Sequence, residues 1–223
     1  MLETSFRILL LSIMAGVSPM AIVATLAVLA SRRGRTNGIA FLIGFAIGQT
    51  AALAIAFLVG SAATEREGDS GMAIVELLAG LALLALAWAQ RRRPEPPPAA
   101  GPSRTEAVLG RLQGLRPVTA FAAGALLGVG GIKRLSITLV AGATIAVADL
   151  GAVESLTLGA GYILISGALV FVPIAVYVIL GAHADALMKV AREWVMANER
   201  RLTFYSTAVF GVLLTADGLV RSL

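Results

Sequence analysis

The chain returns repeatedly to stretches of about twenty or more residues that carry almost no charge, at 5–31, 37–62, 71–90, 118–148, 155–181 and 202–220. A helix of roughly 20 apolar residues crosses the hydrocarbon core of a bilayer. A soluble domain of 223 residues, 58% hydrophobic and only 14% charged, cannot keep such runs away from water. Leu, Ala, Val and Gly dominate them, which favours helices over a barrel. The expected fold is all-α and integral to the membrane, with six transmembrane helices. The first run, preceded by Arg7, has the look of a signal peptide. Its apolar part is too long for that, and Arg32-Arg33-Gly34-Arg35 follows as a stop-transfer flank, so it is read as a mature span.

The charges orient these spans. Arg32, Arg33 and Arg35 follow the first. Arg91, Arg92, Arg93, Arg104, Arg111 and Arg116 follow the third, and Lys189, Arg192, Arg200 and Arg201 follow the fifth. The opposite side holds only Arg7, Arg66 and Arg221, with Glu65, Glu67, Asp69, Asp149 and Glu154 in its loops. The positive-inside rule makes the basic loops cytoplasmic and sets both termini outside a plasma (inner) membrane. Pro94, Pro96, Pro97, Pro98 and Pro102 turn the central loop into an extended spacer. Three units follow: a first three-helix repeat at 1–92, a Pro/Arg-rich cytoplasmic linker with an interfacial helix at 93–117, and a second three-helix repeat at 118–223. Val108, Leu109, Leu112 and Leu115 stand at helical spacing, as do Leu187, Val190, Trp194 and Val195. Both sets read as connecting helices on the cytoplasmic interface. Three spans followed by three that begin on the other side is the arithmetic of an inverted repeat. A faint echo agrees: "GVSPMAIVATLAVLA" and "GVGGIKRLSITLVAG" align when Gly16 is laid on Gly128.

Several chemistries are excluded. The chain has no cysteine and a single histidine, His183. Disulfides, iron–sulfur clusters, dithiol relays and a multi-histidine metal site are therefore out of reach, and no Ser/His/Asp or Cys/His set can form inside the membrane. No enzyme activity, metal or cofactor is expected. The net charge of +5 sits in membrane-flanking loops and is no sign of nucleic acid. "GVGGIKRLS" lacks the Gly-Lys-Ser/Thr ending of a phosphate loop.

Two places break the apolar pattern. Gly16-Val17-Ser18-Pro19-Met20 lies halfway along the first span, where Pro19 removes a backbone donor and forces a kink or an opening. Gly128-Val129-Gly130-Gly131 lies at the middle of the fourth and is followed at once by Lys133 and Arg134. That fourth run would reach about 45 Å as one straight helix, against a core of roughly 30 Å. Broken helices at matching places in two inverted halves point to a transporter's central site. A cation at this depth costs about 2.5–3.5 kcal/mol on insertion scales, and neither end of the span is close enough for snorkelling. The doublet with freed amides would attract a carboxylate, sulfate or phosphate. The candidate substrate-binding residues are Ser18, Pro19, Gly130, Gly131, Lys133 and Arg134. An ion pair to Glu76 or Asp217, which double as proton-coupling candidates, stays open as the other reading. Asn37, Gln49, Thr50 and Ser166 line the path or bond neighbouring helices, and Gly44/Gly48 with Gly159, Gly161 and Gly167 suit close packing.

The chain resembles the LysE-type exporter superfamily, and more narrowly its actinobacterial branch of sulfolipid- and glycopeptidolipid-addressing (GAP) proteins. The resemblance rests on "SPM" before "SRRGR", on "AFLIGFAIG", on "FAAGALLGVGGIKRLSITLVAGATIAVADLG", on "FVPIAVYVILG" and on "AVFGVLLTADGL". Such families carry Asn-Pro-Lys after glycine in the fourth span; here Gly131-Ile132-Lys133 keeps the lysine without Asn and Pro. The resemblance implies export or translocation of a polar-headed cell-envelope lipid. Joined to the basic break, it leads to a secondary-active transporter of an anionic (glyco)lipid or similar amphiphile. An exporter of small amino acids or organic anions, and a non-transporting scaffold for envelope-lipid synthesis, remain the alternatives. The partners expected are that anionic substrate and the bilayer, with a homo-oligomer or an envelope-lipid synthase left open.

Overall fold

The computed structural model describes residues 2–67, 115–148 and 150–184, with single helical positions between 81 and 88 and between 190 and 212. The spans expected at 71–90 and 202–220, the proline spacer, Glu76 and Asp217 lie outside the described residues. So does most of both interfacial helices. Among the described residues every regular element is helical: α1 (Leu2–Gly16), α2 (Pro19–Leu29), α3 (Gly34–Glu67), α4 (Pro117–Val129), α5 (Ile132–Val147) and α6 (Ala152–Leu180), then a 3-10 turn over Gly181–Ala184. Two of these, α3 over Gly34–Ala62 and α6 over Ala152–Leu180, are each long and apolar enough to cross a membrane. The pairs α1–α2 and α4–α5 each pass the same test only when taken together.

Both predicted breaks are present, and each has its own cause. Pro19 takes the first position of α2, where its missing N–H has no intrahelical acceptor to lose, and Ser18 before it is extended at φ −131° and ψ 96°. The chain turns by 61° between the two halves of that span. In the other pair Gly130 adopts φ 86° and ψ 176°, a region open essentially to glycine alone. Gly131 then caps α5 in extended backbone, and the bend is 62°. This bend absorbs the excess length of the fourth run. The echo's register shifts by one residue, because Gly128 stays helical and Val129, not Gly128, ends its helix as Gly16 ends α1.

Close backbone approach sets which helices are neighbours. Gly44 and Gly48 of α3 face the carbonyls of Phe121 and Ala125, while Gly124 and Gly128 of α4 face those of Phe41 and Phe45. This reciprocal set places α3 and α4 in backbone contact, the arrangement small residues permit between membrane helices. Gly60 and Gly142 continue it between α3 and α5 against Ala143 and Ala56. Of the sixth helix's glycines, Gly161 has open space around it and takes no part in such packing. Gly16 faces Ser166 and Gly34 faces Tyr177, so α6 runs alongside α1–α2 in the same direction. Gly38 against Ile174, and Leu53 against Gly159, make α3 and α6 antiparallel. Each unbroken helix therefore lies along one broken pair, and the two broken pairs run in opposite directions.

The interior is split in two. One apolar cluster joins Leu11 and Met14 of α1 with Ile137 and Val140 of α5, and with Leu53 and Tyr162. The other joins Val28 and Leu29 of α2 with Phe41, Phe45, Ala120, Val170 and Ile174. Outward-facing side chains are apolar as well: Ile43, Ile47, Ile55, Leu58, Leu126, Leu156, Leu164 and Ile179 are all exposed. Exposed apolar surface on this scale fits a lipid environment. Between the two clusters, at the level of both breaks, the packing turns polar.

Candidate functional site

The polar layer begins with the lysine. Lys133 opens the first turn of α5 and is half-buried, and its Nζ donates to the carbonyl oxygen of Val17 at 2.7 Å. Val17 stands just past the C-terminal end of α1, so the bond crosses from the second break to the first. The helix end supplies partial negative charge and carbonyls without intrahelical partners, which suits an ammonium group. Residues far apart in the sequence thus meet where both spans are unwound.

Arg134 goes the other way. It is buried, with 5% of its surface exposed, and one terminal N–H group donates to the carbonyl of Ser166 on α6 at 3.2 Å. Its guanidinium carbon lies 4.7 Å from the centre of the Phe45 ring on α3, a cation–π geometry. Phe45 is itself held edge-on by Phe171, with ring centres 5.9 Å apart. A Cβ added at Gly130 would sit 2.6 Å from Cδ of Arg134, so the glycine accommodates the arginine stem as well as the turn. Lys133 thus reaches across the break, while Arg134 is built into the wall.

The side chains of four residues complete the layer. Gln49 of α3 donates to the Ser166 hydroxyl and to the Ile163 carbonyl at 3.3 Å. The Ser166 hydroxyl donates in turn to the Tyr162 carbonyl at 2.6 Å, and the hydroxyls of Tyr162 and Thr138 share a bond of 2.8 Å. Buried Gln49 Oε1 and Arg134 Nε have no hydrogen-bond partner, an acceptor and a donor at one level of the bundle. Asn37 Oδ1, at the bundle end, is a third such atom; the great majority of buried polar groups are paired, so each of the three calls for a water or another polar partner. Among the described residues no group of three His, Asp or Glu could hold a metal ion.

The predicted site residues divide accordingly. Gly130, Gly131, Lys133 and Val17, the neighbour of Ser18, meet at the breaks. The Ser18 side chain makes no cap bond, but its carbonyl accepts from Ile22 N–H at 3.1 Å and begins α2. Gly131 is exposed and an added Cβ there would meet nothing within 4 Å, so the break borders open space. Pro19 belongs to the backbone of α2, and Glu76 and Asp217 lie outside the described residues. Replacing Arg134 by alanine should lower thermal stability in detergent by more than Lys133→Ala does, on the order of 2 kcal/mol for the lost charged bond and ring contact. Gly130→Ala should fall beside Arg134→Ala, at about 1–3 kcal/mol from backbone strain alone. Melting curves of the three variants would check the ranking.

The family described as Sap, sulfolipid-1-addressing protein, matches residues 8–220. The chain belongs to that family. No curated protein and no solved structure matches it. In this Sap-family chain the match runs from α1 through both breaks and α6, and so includes the whole polar layer.

Some members of that layer were hidden in the sequence. Tyr162 reads as an interface or packing aromatic, yet it is fully buried and its hydroxyl bonds Thr138. Thr138 gives no signal at all. Gln49 and Ser166 stand out as polar residues in apolar spans, and both belong to the layer. Thr50, equally polar, is exposed and bonds only its own helix, at Ala46 O. Asn37 sits at the bundle end instead, bonding Ser31 Oγ at 2.8 Å and the Leu115 carbonyl at 3.0 Å.

Proposed function

We propose that this Sap-family protein is a secondary-active carrier that moves an anionic cell-envelope lipid, or a similar amphiphile, outward across the plasma membrane. The Sap family points to a role in sulfolipid-1 addressing or export, and the proposal extends that role to a mechanism. In this reading the chain has six spans in two inverted halves, of the LysE-exporter kind, with both termini outside. The observation that carries it is the Lys133–Val17 bond, a cation laid across the gap between two broken helices.

The chemistry follows from competition for that ammonium. The Val17 carbonyl is one partner of Lys133 in the present state, and a sulfate or phosphate oxygen would compete with it for the ammonium. α5 begins at the break, where the Gly131 carbonyl accepts from Leu135 N–H at 3.0 Å, and a helix N-terminus in that place favours an anion. Binding of a headgroup would release Val17 and untie the two breaks from each other. A ligand shifts an equilibrium only by its difference in affinity between states, and the exchanged lysine bond supplies that difference. Beside the breaks, Met20, Leu126 and Ile132 are strongly exposed, which lets acyl chains stay in the bilayer while the headgroup crosses.

A translocation assay in proteoliposomes tests this, using fluorescent phosphatidylglycerol or a sulfated glycolipid against phosphatidylcholine. Protein-dependent movement of the anionic lipids alone is the expected result. Movement of amino acids or small organic anions with none of lipid would move the function to the small-solute class. Gly131→Leu should fill the open space at the break and cut the rate about tenfold or more without lowering the melting temperature. A leucine there that leaves the rate unchanged removes Gly131 from the path.

A further inference from the structure

A cluster of arginines lies at the end of the bundle, well away from the breaks. A cavity of about 430 Å³ opens between the α2–α3 turn and the end of α6. One wall carries Arg32, Arg33, Arg35 and Thr36, and the other is residues 177–181. All three arginines are exposed, and among the described residues no carboxylate lines the cavity. Three guanidinium groups within four positions present many N–H donors in planar forks that match phosphate or sulfate oxygens two at a time. The helix that starts here, α3, is 34 residues long, so its first amides add positive partial charge on the same side.

The cavity's shape is held by packing. An added Cβ at Gly34 would run into the Leu29 carbonyl and come within 3.0 Å of the Tyr177 hydroxyl, so the turn is pressed onto α6 at this point. The rim is apolar: Ile179 is 80% and Leu180 51% exposed. This end of the bundle also carries Arg116, because Asn37 bonds the adjacent Leu115 carbonyl. In the orientation proposed above it is the cytoplasmic face, where anionic lipids are concentrated. Along α3 the cavity lies thirteen residues from Gln49, roughly 20 Å.

The geometry points to a binding site for the phosphate-bearing headgroup of an anionic membrane lipid, with guanidinium groups on the headgroup and acyl chains against Ile179 and Leu180. This site is distinct from the break-level layer and does not depend on what that layer carries. Binding is read by native mass spectrometry and by thermal shift of the purified, delipidated protein. The probes are dioleoylphosphatidylglycerol, dioleoylphosphatidylcholine and inorganic phosphate. Phosphatidylglycerol should bind and raise the melting temperature, while the other two should not. Arg32→Gln with Arg35→Gln should weaken its retention about tenfold or more. Thr36→Trp, which keeps every arginine and hence the orientation-setting charge, should do the same by filling the cavity. Lys133→Ala should retain the lipid as the unaltered protein does. Equal retention by both cavity variants, equal binding of phosphatidylcholine, or equal stabilisation by inorganic phosphate would each overturn the proposal. Loss of the lipid in Lys133→Ala alone would assign it to the breaks and overturn it too.

Discussion

Lys133→Ala should stop lipid movement in proteoliposomes while the protein still inserts, folds and melts close to its normal temperature. The lysine is half-buried and its described bond is to Val17 O, so its removal deletes a charged hydrogen bond and also the burden of desolvating an ammonium group. These two contributions oppose each other, and a small net change in stability follows. The effect on translocation is different in kind. A charge-assisted bond to the headgroup is worth about 1.5–3 kcal/mol, or roughly ten- to hundredfold in rate if it is made mainly in the moving state. Lys133→Arg keeps the charge and loses the compact ammonium that fits one carbonyl, so it should recover part of the rate. Initial rates for the three proteins, with melting curves alongside, provide the measurement. An alanine variant that moves lipid at the normal rate would take Lys133 out of the mechanism and leave the bond as a structural tie.

Gly48→Leu should have the largest effect on the protein itself. A side chain at this position would be driven into the carbonyl of Ala125, and its neighbours Gly44, Gly124 and Gly128 stand in the same relation to facing carbonyls. A backbone carbonyl cannot rotate away as a side chain can, so α3 and α4 would have to separate along their whole contact. Overpacking of a core costs about 1–3 kcal/mol when side chains can yield. Here they cannot, and loss of monodisperse protein in detergent is the expected outcome. Gly161→Leu is the control, because nothing lies within 4 Å of a Cβ there. Size-exclusion profiles and melting temperatures of the pair would decide the matter: equal behaviour would contradict the backbone contact.

The two breaks show how far local chemistry reaches. Pro19 and the Gly130-Gly131 pair announce themselves in any reading, because the loss of an N–H or of a Cβ acts on the residue's own backbone. The one-residue shift of register was not legible. Gly128 is helical and lies against the Phe45 carbonyl, which belongs to another helix. Gly44 and Gly48 are recognisable as a small-residue pair, whereas Gly128 stands out only as part of a break and Gly124 not at all. Spacing marks a face but does not say what it meets.

The same division runs through the basic doublet. The sequence by itself determined that this chain lives in a membrane, that two spans open near their middles, and that Lys133 and Arg134 stand at one of the openings. Those properties come from apolar length, from residues that cannot sustain a helix, and from the high energy of a charge in hydrocarbon. Only the tertiary structure sent Lys133 to Val17 and Arg134 to Phe45 and Ser166. It alone buried Tyr162 on Thr138 and shaped the arginine-lined cavity beside α6. Adjacent side chains on a helix point about 100° apart, and which neighbour each one meets depends on how distant helices cross.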